Sequence, residues 1–483
     1  MTEFQVHMAD GTVLAVPASL DSITTYVLLE QENWFEKETN LLAHLLCPGM
    51  TAIDIGANLG VYSLPMARLV APHGRVVAYE PARETCRLLH RSRTLNETPG
   101  LEIVTAAVSD RQGQAQLAAG TSSELNMLSR SDTENGETVD VTTLDIEDTK
   151  HGWDRVDFIK IDAEGEEGRI LSRGAGFFDR HSPLVMFEVK AGSAVNTGLQ
   201  IAFAAMGYAV YRQLGDAPIL VPVDPAASLD GFELNLFAAK PDRAAQLAEE
   251  NLLALSIPEW SAPTDTGQTA WDRFSAQPFS SAFGAIAPSP DEVDPAYADA
   301  LAAFACWQDS GVPLPDRCAA LRASFQVLAG LCQTTPNSAR QSTFARVAWE
   351  AGARGACVAA LQAFFAEAGA RSFAVTEPFW PACPRYDALD PAGRSMDWFL
   401  SAAMEQLERA RAHSTLFGGE SPALNLLCDR PFASAEMERR RVLLAAKAGN
   451  NPVIPARLCH PAADHINAAL WRSGKIPGMR VSG

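Results

Sequence analysis

Hydrophobic residues in the first half of the chain form short apolar runs that alternate with amphipathic segments. The runs predict strands, and the segments between them predict helices. Strands that are apolar throughout are typical of a parallel sheet covered by helices on both faces, so the pattern predicts an α/β fold whose last two strands form a closing hairpin. The strands are predicted over residues 51–55, 75–80, 101–105, 114–117, 138–142, 156–162, 184–189, 208–214 and 234–239.

The pattern changes after Pro241. Residues 256–291 are rich in Pro, Ser and Ala and lack sustained periodicity, which is typical of a linker or an irregular segment. Alanine-rich helical patterns follow, and two of them, 339–350 and 355–367, resemble one helical hairpin of a tetratricopeptide-like array. No regular repeat follows, so we predict a helical bundle or a degenerate solenoid.

These changes divide the chain into four segments. We predict an N-terminal cap over residues 1–48, an α/β domain over 49–245, a linker or irregular wrap over 246–295 and a helical accessory domain over 296–483. In the accessory domain, the run Glu436–Arg441 predicts a solvated, ion-paired helix face.

Composition excludes several classes of protein. A net charge of −19 over 483 residues disfavours nonspecific binding to nucleic acid or to an acidic membrane surface. The polar N-terminus has no signal-peptide core, and no apolar window is long enough for a membrane span, so we expect a cytoplasmic protein. Nine scattered cysteines and nine scattered histidines predict reduced thiols and no structural transition-metal site.

The first predicted strand runs into a glycine turn with the sequence IDIGANLG, which contains Asp54, Gly56, Asn58 and Gly60. Glycine lets backbone approach a ligand closely. The spacing differs from the G-x-G-x-x-G of dinucleotide sites, and Asp54 would repel a pyrophosphate but suits an amino-acid end or a sulfonium. The turn therefore favours S-adenosylmethionine over NAD as the cofactor. The structural alternative is a tight turn without a ligand.

Residues at three further places in the chain extend this predicted site. Glu80 ends the second strand, where an acid can accept hydrogen bonds from both ribose hydroxyls, although it could also be the first acid of a helix. Val108 and Ser109 follow the third strand and could form the wall around adenine, but the sequence after them is also a good turn. Ahead of the first strand, Glu36 or Glu38 could hold the amino group of the cofactor.

Ionisable residues gather at the end of the strand predicted over 156–162. Lys160, Asp162 and Glu164 alternate, so they lie on one side of an extended chain, and Glu188 ends the next strand. Their burial would be costly unless they pair with each other, a metal or a substrate. The structural alternative is an ion pair of Lys160 with Asp162 or Glu188, and both interpretations could hold together.

Several ordered motifs resemble the FkbM family of methyltransferases. They are IDIGANLG at 53–60, AYEP at 78–81, AAVSD at 106–110, TLD at 143–145 and FIKIDAEGEE at 158–167, within a resemblance over residues 20–242. The resemblance implies a class I methyltransferase fold, which is a Rossmann-like sheet of seven strands with the last antiparallel. It also implies S-adenosylmethionine as the cofactor and O-methylation of a sugar or polyketide hydroxyl as the reaction.

The resemblance further implies in-line methyl transfer to an oxygen of a carbohydrate or natural-product acceptor. Asp162 or Glu164 could remove the hydroxyl proton or bind a divalent cation that acidifies the hydroxyl, Lys160 could tune Asp162, and Glu188 is another candidate base. Two other functions remain as alternatives. One is an NAD(P)-dependent oxidoreductase. The other is a silent nucleotide-binding scaffold whose helical part binds protein partners or self-associates.

Overall fold

The structure is a computed structural model of the chain. It describes residues 2–118, 120, 122–123, 126–129, 136–191, 194–195, 198–224, 228–261, 266–283, 293–368 and 375–481. Two stretches of the predicted linker, 262–265 and 284–292, lie outside the described residues, as do 369–374 of the predicted accessory domain.

The strands of the described residues are concentrated before residue 240. In chain order they are β1 Glu3–His7, β2 Val13–Pro17, β3 Thr51–Ile55, β4 Arg75–Tyr79, β5 Leu101–Val104, β6 Ala107–Val108, β7 Gly113–Ala118, β8 Met127–Ser129, β9 Glu137–Thr142, β10 Phe158–Ile161, β11 Leu184–Glu188, β12 Lys190–Ala191, β13 Ala194–Val195, β14 Ala209–Gln213, β15 Leu220–Pro222 and β16 Asn235–Ala239.

Helices lie between these strands and make up most of the second half. They are α1 Ile23–Gln31, α2 Glu38–Leu45, α3 Ser63–Val70, α4 Arg83–Leu95, α5 Leu144–His151, α6 Glu167–Arg173, α7 Ala175–His181, α8 Gly198–Ala205, α9 Pro241–Glu249, α10 Thr266–Ser275, α11 Pro295–Trp307, α12 Leu314–Thr334, α13 Ser338–Glu350, α14 Arg354–Ala368, α15 Ser395–Ala410, α16 Thr415–Gly418, α17 Pro422–Cys428, α18 Ala435–Lys447 and α19 Ala468–Arg472.

The central sheet has the order β15-β14-β16-β11-β10-β3-β4-β5. Strands β11, β10, β3, β4 and β5 are parallel, and β16 pairs antiparallel with both β11 and β14. The predicted class I methyltransferase fold is confirmed, including the antiparallel last strand. The prediction of seven strands misses β15, a short eighth strand at the edge, because its three residues lie within the long connection of the closing hairpin.

The direction of strand addition reverses between β3 and β10. The chain continues from β3 to β4 and β5 on one side, whereas β10 and β11 lie on the other. Open α/β sheets bind ligands in the crevice beyond the carboxyl ends of the strands at such a point. The residue pairs Asp54–Lys160 and Ile55–Ile161 are in register there, so the glycine turn after β3 and the acidic segment after β10 meet.

Most of the helical half (described residues 293–368 and 375–481) packs around a large apolar core that also includes Leu214 and Val221 of the α/β part. Helices α13 and α14 form the expected hairpin around the left-handed Gly352. Phe379 and Trp380 are buried in that core. Within the described part of the chain, every helix is too short or too polar to traverse a lipid bilayer.

The end of the chain packs back on its beginning. Residues of α18 and α19 share one apolar core with β1, β2 and α1. The prediction of a solvated face over Glu436–Arg441 is wrong for Arg439 and Arg440, which are 2% exposed. Their guanidinium groups lie 3.4 Å from Glu32 and 3.5 Å from Glu30, at the end of α1. Only the fold brings these oppositely charged residues together.

Glu32 is the most heavily bonded carboxylate of this contact. It accepts hydrogen bonds from the backbone amides of Ile466 and Asn467, and it lies 3.1 Å from His465 Nδ1. Burial raises the pKa of Glu32, but His465, Arg439 and the two amides outweigh burial and lower it to about 2. Burial also lowers the pKa of Arg439, yet a guanidinium stays charged at neutral pH, so attraction governs the pair.

We expect Glu32→Gln to reduce the free energy of unfolding at pH 7 by about 3 kcal/mol. A carboxyl whose pKa is depressed by folding stabilises the protein above its unfolded-state pKa, and this contribution disappears as the pH falls toward 2. Urea unfolding at pH 7 and pH 3.5 should therefore show that the variant has a lower free energy of unfolding than the wild type. This deficit should be smaller at the lower pH. Glu102→Gln, at a carboxylate that is 57% exposed, is the control. An equal deficit at both pH values would contradict this interpretation.

Candidate functional site

A cavity of about 290 Å³ lies at the carboxyl ends of β3, β4 and β10. Most of the residues predicted for the cofactor and the reaction line it, and helix α1 and the segment before α2 cover it. The predicted residues on its wall are Asp54, Gly56, Asn58, Glu80, Val108, Lys160, Asp162, Glu164 and Glu188.

The glycine turn is held against the end of β10. Gly56 has a φ of +79°, and a Cβ built on it would lie 1.7 Å from the carbonyl oxygen of Asp162. The close contact predicted for this glycine is therefore, in the first place, a contact with the protein's own backbone. Asn58 is also left-handed at φ 46°, and its side chain accepts a hydrogen bond from Ser123.

Glu80 is fixed at the tip of β4 by two backbone amides. Its Oε2 accepts from the amide of Asn58 at 2.9 Å, and its Oε1 accepts from the amide of Ala82 at 2.8 Å. The side chain lines the cavity although the residue is only 7% exposed. Each carboxylate oxygen can accept more than one hydrogen bond, so Glu80 can still receive bonds from a ligand.

Lys160 is a buried cation between two carboxylates. Its Nζ lies 2.7 Å from Asp162 Oδ2 and 4.0 Å from Asp54 Oδ1, and 5.0 Å from the centre of the Tyr62 ring. Burial lowers the pKa of Lys160, but Asp162, Asp54 and Glu36 outweigh burial and raise it above the ordinary value. Lys160 therefore stays protonated at neutral pH and acts as a positive charge, not as a base.

Asp54 is completely buried beneath the turn. Its Oδ2 accepts a hydrogen bond from Ser63 at 2.5 Å, while Oδ1 has no hydrogen-bond donor among the described residues. Burial raises the pKa of Asp54 against the opposing effect of Lys160. A buried carboxylate oxygen without a donor is costly, and a ligand with a positively charged donor would remove that cost.

Asp162, Glu164 and Glu188 form a cluster on the cavity wall, and each offers an oxygen atom within 4.8 Å of the others. Burial raises the pKa of Glu188 to about 10, with further contributions from the like charges of Asp162, Glu164 and Glu36. Glu188 consequently holds a proton at neutral pH unless a cation offsets those charges. The sequence motif predicted the grouping but not this difference in protonation.

Two predicted cofactor residues do not line the cavity. A Cβ on Gly60 would lie 2.4 Å from Leu89 Cδ1, so this glycine permits packing of the turn against helix α4. Ser109 is 4% exposed, and its hydroxyl donates to Glu166, which itself lines the cavity. In each case a contact with a neighbouring side chain keeps the residue behind the cavity wall. The sequence pattern does not show such contacts.

The two glutamates predicted to hold the amino group of the cofactor lie on different cavities. Glu36 lines it and accepts hydrogen bonds from Tyr62 at 2.6 Å and from Asn235 at 2.9 Å. Glu38 is buried on a different cavity, where burial raises its pKa to about 8. Only Glu36 is therefore placed to meet a ligand of the first cavity.

Sequence patterns missed several wall residues. Phe417 is 54% exposed and reaches the cavity from the helical half, where its ring centre lies 6.1 Å from that of Phe35. Tyr62 follows the glycine turn by one residue and is 2% exposed. No motif marks Phe417, because its position depends on the contact between the two halves of the chain.

Residues 54–203 match the family model described as the methyltransferase FkbM domain. This segment is an FkbM methyltransferase domain. The match begins at Asp54 and includes the glycine turn, Glu80 and the acidic cluster. No curated protein matches the chain.

Solved structures with a similar fold include methyltransferases from several organisms. Methyltransferase FkbM from Methylobacillus flagellatus KT is 17% identical over 39% of this chain and 43% of that one, with a TM-score of 0.28. A SAM-dependent methyltransferase from Aquifex aeolicus is 14% identical over 46% and 94%, with a TM-score of 0.27. Aeropyrum pernix fibrillarin, solved with natively bound S-adenosyl-L-methionine, is 14% identical over 49% and 82%, with a TM-score of 0.26.

The contact of Gly56 with Asp162 in the FkbM domain can be tested with a matched pair of variants. Gly49 is also left-handed, at φ +95°, but a Cβ on it would have no heavy atom within 4 Å. We expect Gly49→Ala to cost about 1 kcal/mol from backbone strain alone and Gly56→Ala to cost about 2 kcal/mol more. Urea unfolding measures both. Equal costs would show that the close approach does not constrain the fold.

The raised pKa of Glu188 predicts a pH-dependent stability. The folded chain keeps the proton to about pH 10, whereas the unfolded chain releases it near 4.5, so stability is lost as the pH rises between these values. We expect Glu188→Gln, which cannot ionise, to have a higher Tm than the wild type at pH 8.5 and nearly the same Tm at pH 5. Scanning calorimetry gives both values. A variant that is less stable at pH 8.5 would argue that Glu188 is ionised.

Proposed function

We propose that this chain is an S-adenosylmethionine-dependent O-methyltransferase and that the cavity at β3, β4 and β10 holds the cofactor. One observation carries the proposal: within an FkbM domain, the Glu80 carboxylate is fixed by two backbone amides on the wall of this cavity. A carboxylate in this position suits the two hydroxyls of a ribose.

The charges of the cavity fit this cofactor better than a dinucleotide. Lys160 is one cation among the acidic residues Asp54, Asp162, Glu164 and Glu188, and the donorless Oδ1 of Asp54 favours a positively charged donor. A sulfonium and an ammonium group complement such a wall, whereas a pyrophosphate would be repelled. These observations argue against NAD(P) as the ligand.

Each wall residue would contact a different part of the cofactor. Glu80 would accept hydrogen bonds from the ribose, Val108 would pack on adenine, and Asp54 would accept from the ammonium group, with Asn58 shaping the turn between them. Gly60 and Ser109 would support this pocket from behind. When bound, S-adenosylmethionine supplies a methyl group to the acceptor oxygen and leaves as S-adenosylhomocysteine.

The remaining chemistry falls to the acidic cluster. A carboxylate there removes the hydroxyl proton of the acceptor as the methyl group is transferred. Asp162, paired with Lys160, and Glu164 are the candidates in the absence of a cation, because Glu188 holds its proton at neutral pH. A divalent cation bound by all three carboxylates would instead offset their like charges and acidify the hydroxyl.

The acceptor we propose is a hydroxyl of a carbohydrate or a natural product of polyketide type. We also propose that residues 49–245 form the catalytic unit, with 1–48 as its cap, 246–295 as a linker or wrap and 296–483 as an accessory unit. The accessory unit would reach the cavity wall through Phe417 and the cap through Arg439 and Arg440.

The central test is binding of S-adenosylmethionine or S-adenosylhomocysteine by calorimetry. We expect Glu80→Gln to weaken binding about tenfold to a hundredfold, because a charged acceptor of hydrogen bonds is lost while the shape is kept. Glu84→Gln, at an exposed glutamate in the first turn of α4, is the control and should bind as the wild type does.

Transfer from labelled S-adenosylmethionine to candidate glycans tests the reaction itself. Repeating it with EDTA distinguishes a metal-assisted reaction, which would lose activity, from direct removal of the proton by a carboxylate. If well-folded protein bound neither cofactor form, the proposed function would be rejected.

A further inference from the structure

A second cavity, of about 220 Å³, lies between the α/β part of the chain and the helical half. It meets the first cavity at Trp34, Phe35, Glu36 and Leu234, which line both. A molecule held in this interdomain cavity is therefore next to the acidic cluster.

Aromatic rings connect the two cavities. The ring centre of Phe35 lies 5.3 Å from that of His413, which lies 6.0 Å from that of Phe232. The guanidinium of Arg354 then lies 4.7 Å from the Phe232 centre and 5.7 Å from the Trp349 centre. The wall thus runs from the predicted methyl-transfer site to one cation of the helical half.

Arg354 is held in place by three hydrogen-bonding partners. Its Nε donates to the carbonyl of Ala410 at 2.7 Å, its Nη2 donates to the carbonyl of Arg409 at 2.8 Å, and its Nη1 lies 2.7 Å from His413 Nδ1. A guanidinium has five N–H donors, so some remain for a further acceptor. The position is fixed before any ligand arrives, which reduces the entropy lost on binding.

The charge of Arg354 lacks a direct counter-ion. Across the residues that the structure describes, no carboxylate forms an ion pair with Arg354, whereas Glu436 lies 2.7 Å from Arg409 and 2.9 Å from Arg440 on the same wall. Burial lowers the pKa of Arg354 to about 10, and the neighbouring charge of Arg440 acts in the same direction. The surroundings of Arg354 therefore disfavour its charged form.

The acidic residues of the cavity wall around Arg354 accept hydrogen bonds from other donors. Asp216 accepts from the indole of Trp349 at 2.8 Å, and Asp230 accepts from the backbone amides of Phe232 and Gly355, each at 2.9 Å. Glu233 pairs with Lys37 at 3.0 Å. Asp216 and Asp230 therefore act on Arg354 through their charges alone, and a negatively charged group of a ligand could bond to its remaining donors directly.

We propose that the interdomain cavity binds the acceptor and that Arg354 recognises an anionic group on it, a carboxylate or a phosphate. The planar fork of a guanidinium suits either group, and the aromatic row orients the remainder of the molecule toward the acidic cluster. The helical half therefore selects the substrate. This inference rests on the proposed methyltransferase function.

The test measures binding of three small probes to the full chain saturated with S-adenosylhomocysteine. The probes are glucuronate, glucose 6-phosphate and glucose, and quenching of tryptophan fluorescence or calorimetry reports their binding. We expect at least one of the two anions to bind and glucose to bind about tenfold more weakly or not at all. The preferred anion identifies which group the site accepts.

Variants assign any binding to Arg354. We expect Arg354→Gln to weaken anion binding about tenfold or more. Arg322→Gln is the control, because Arg322 donates to exposed carbonyls of Ile257 and Pro258 outside this cavity. Trp349→Phe is a second variant in case Arg354→Gln does not fold. It should also weaken anion binding, because Asp216 loses its indole donor and can compete for Arg354.

The outcomes separate this inference from the proposed function. Binding of S-adenosylhomocysteine without binding of either anion overturns the inference and leaves the proposed function standing. Anion binding that Arg354→Gln and Trp349→Phe leave unchanged also overturns it. Absence of S-adenosylhomocysteine binding in folded wild-type protein rejects the proposed function first.

Discussion

The site is organised by the buried ammonium of Lys160 on the middle strand of the sheet. A lysine in this position is tolerated because Asp162 and Asp54 lie close to its Nζ, on the same and on the neighbouring strand. In turn, the positive charge permits several carboxylates to gather at one sheet edge. Removing either partner would leave an uncompensated charge in the core, so the acids and the lysine constrain each other.

That arrangement gathers carboxyl groups with different surroundings in a small volume. Asp162 pairs with the lysine, whereas burial and like charges raise the pKa of Glu188 to about 10. A carboxyl group whose pKa is raised in this way is typical of sites that transfer protons. Any cation that enters, whether a sulfonium or a metal ion, would shift the balance toward the ionised forms.

Two sets of contacts join the helical half to the part of the chain that holds this site. Glu30 and Glu32 of the N-terminal segment are buried against Arg439 and Arg440, which anchors the end of the chain on α1. Phe417 and the aromatic row that ends at Arg354 then extend the wall of the cavity away from the sheet. The helical half therefore contributes residues to the walls of both cavities, although the motifs that match the FkbM family model lie in the first half of the chain.

The sequence alone determined the strands of the central sheet other than β15, the glycine turn, Glu80 and the acidic cluster, because short apolar runs and short motifs depend on neighbouring residues. Only the tertiary structure decided that Gly60 and Ser109 lie behind the wall, that Arg439 and Arg440 are buried, and that Phe417 and Arg354 face cavities. These properties depend on contacts between residues distant in the chain, and such contacts leave no periodic pattern.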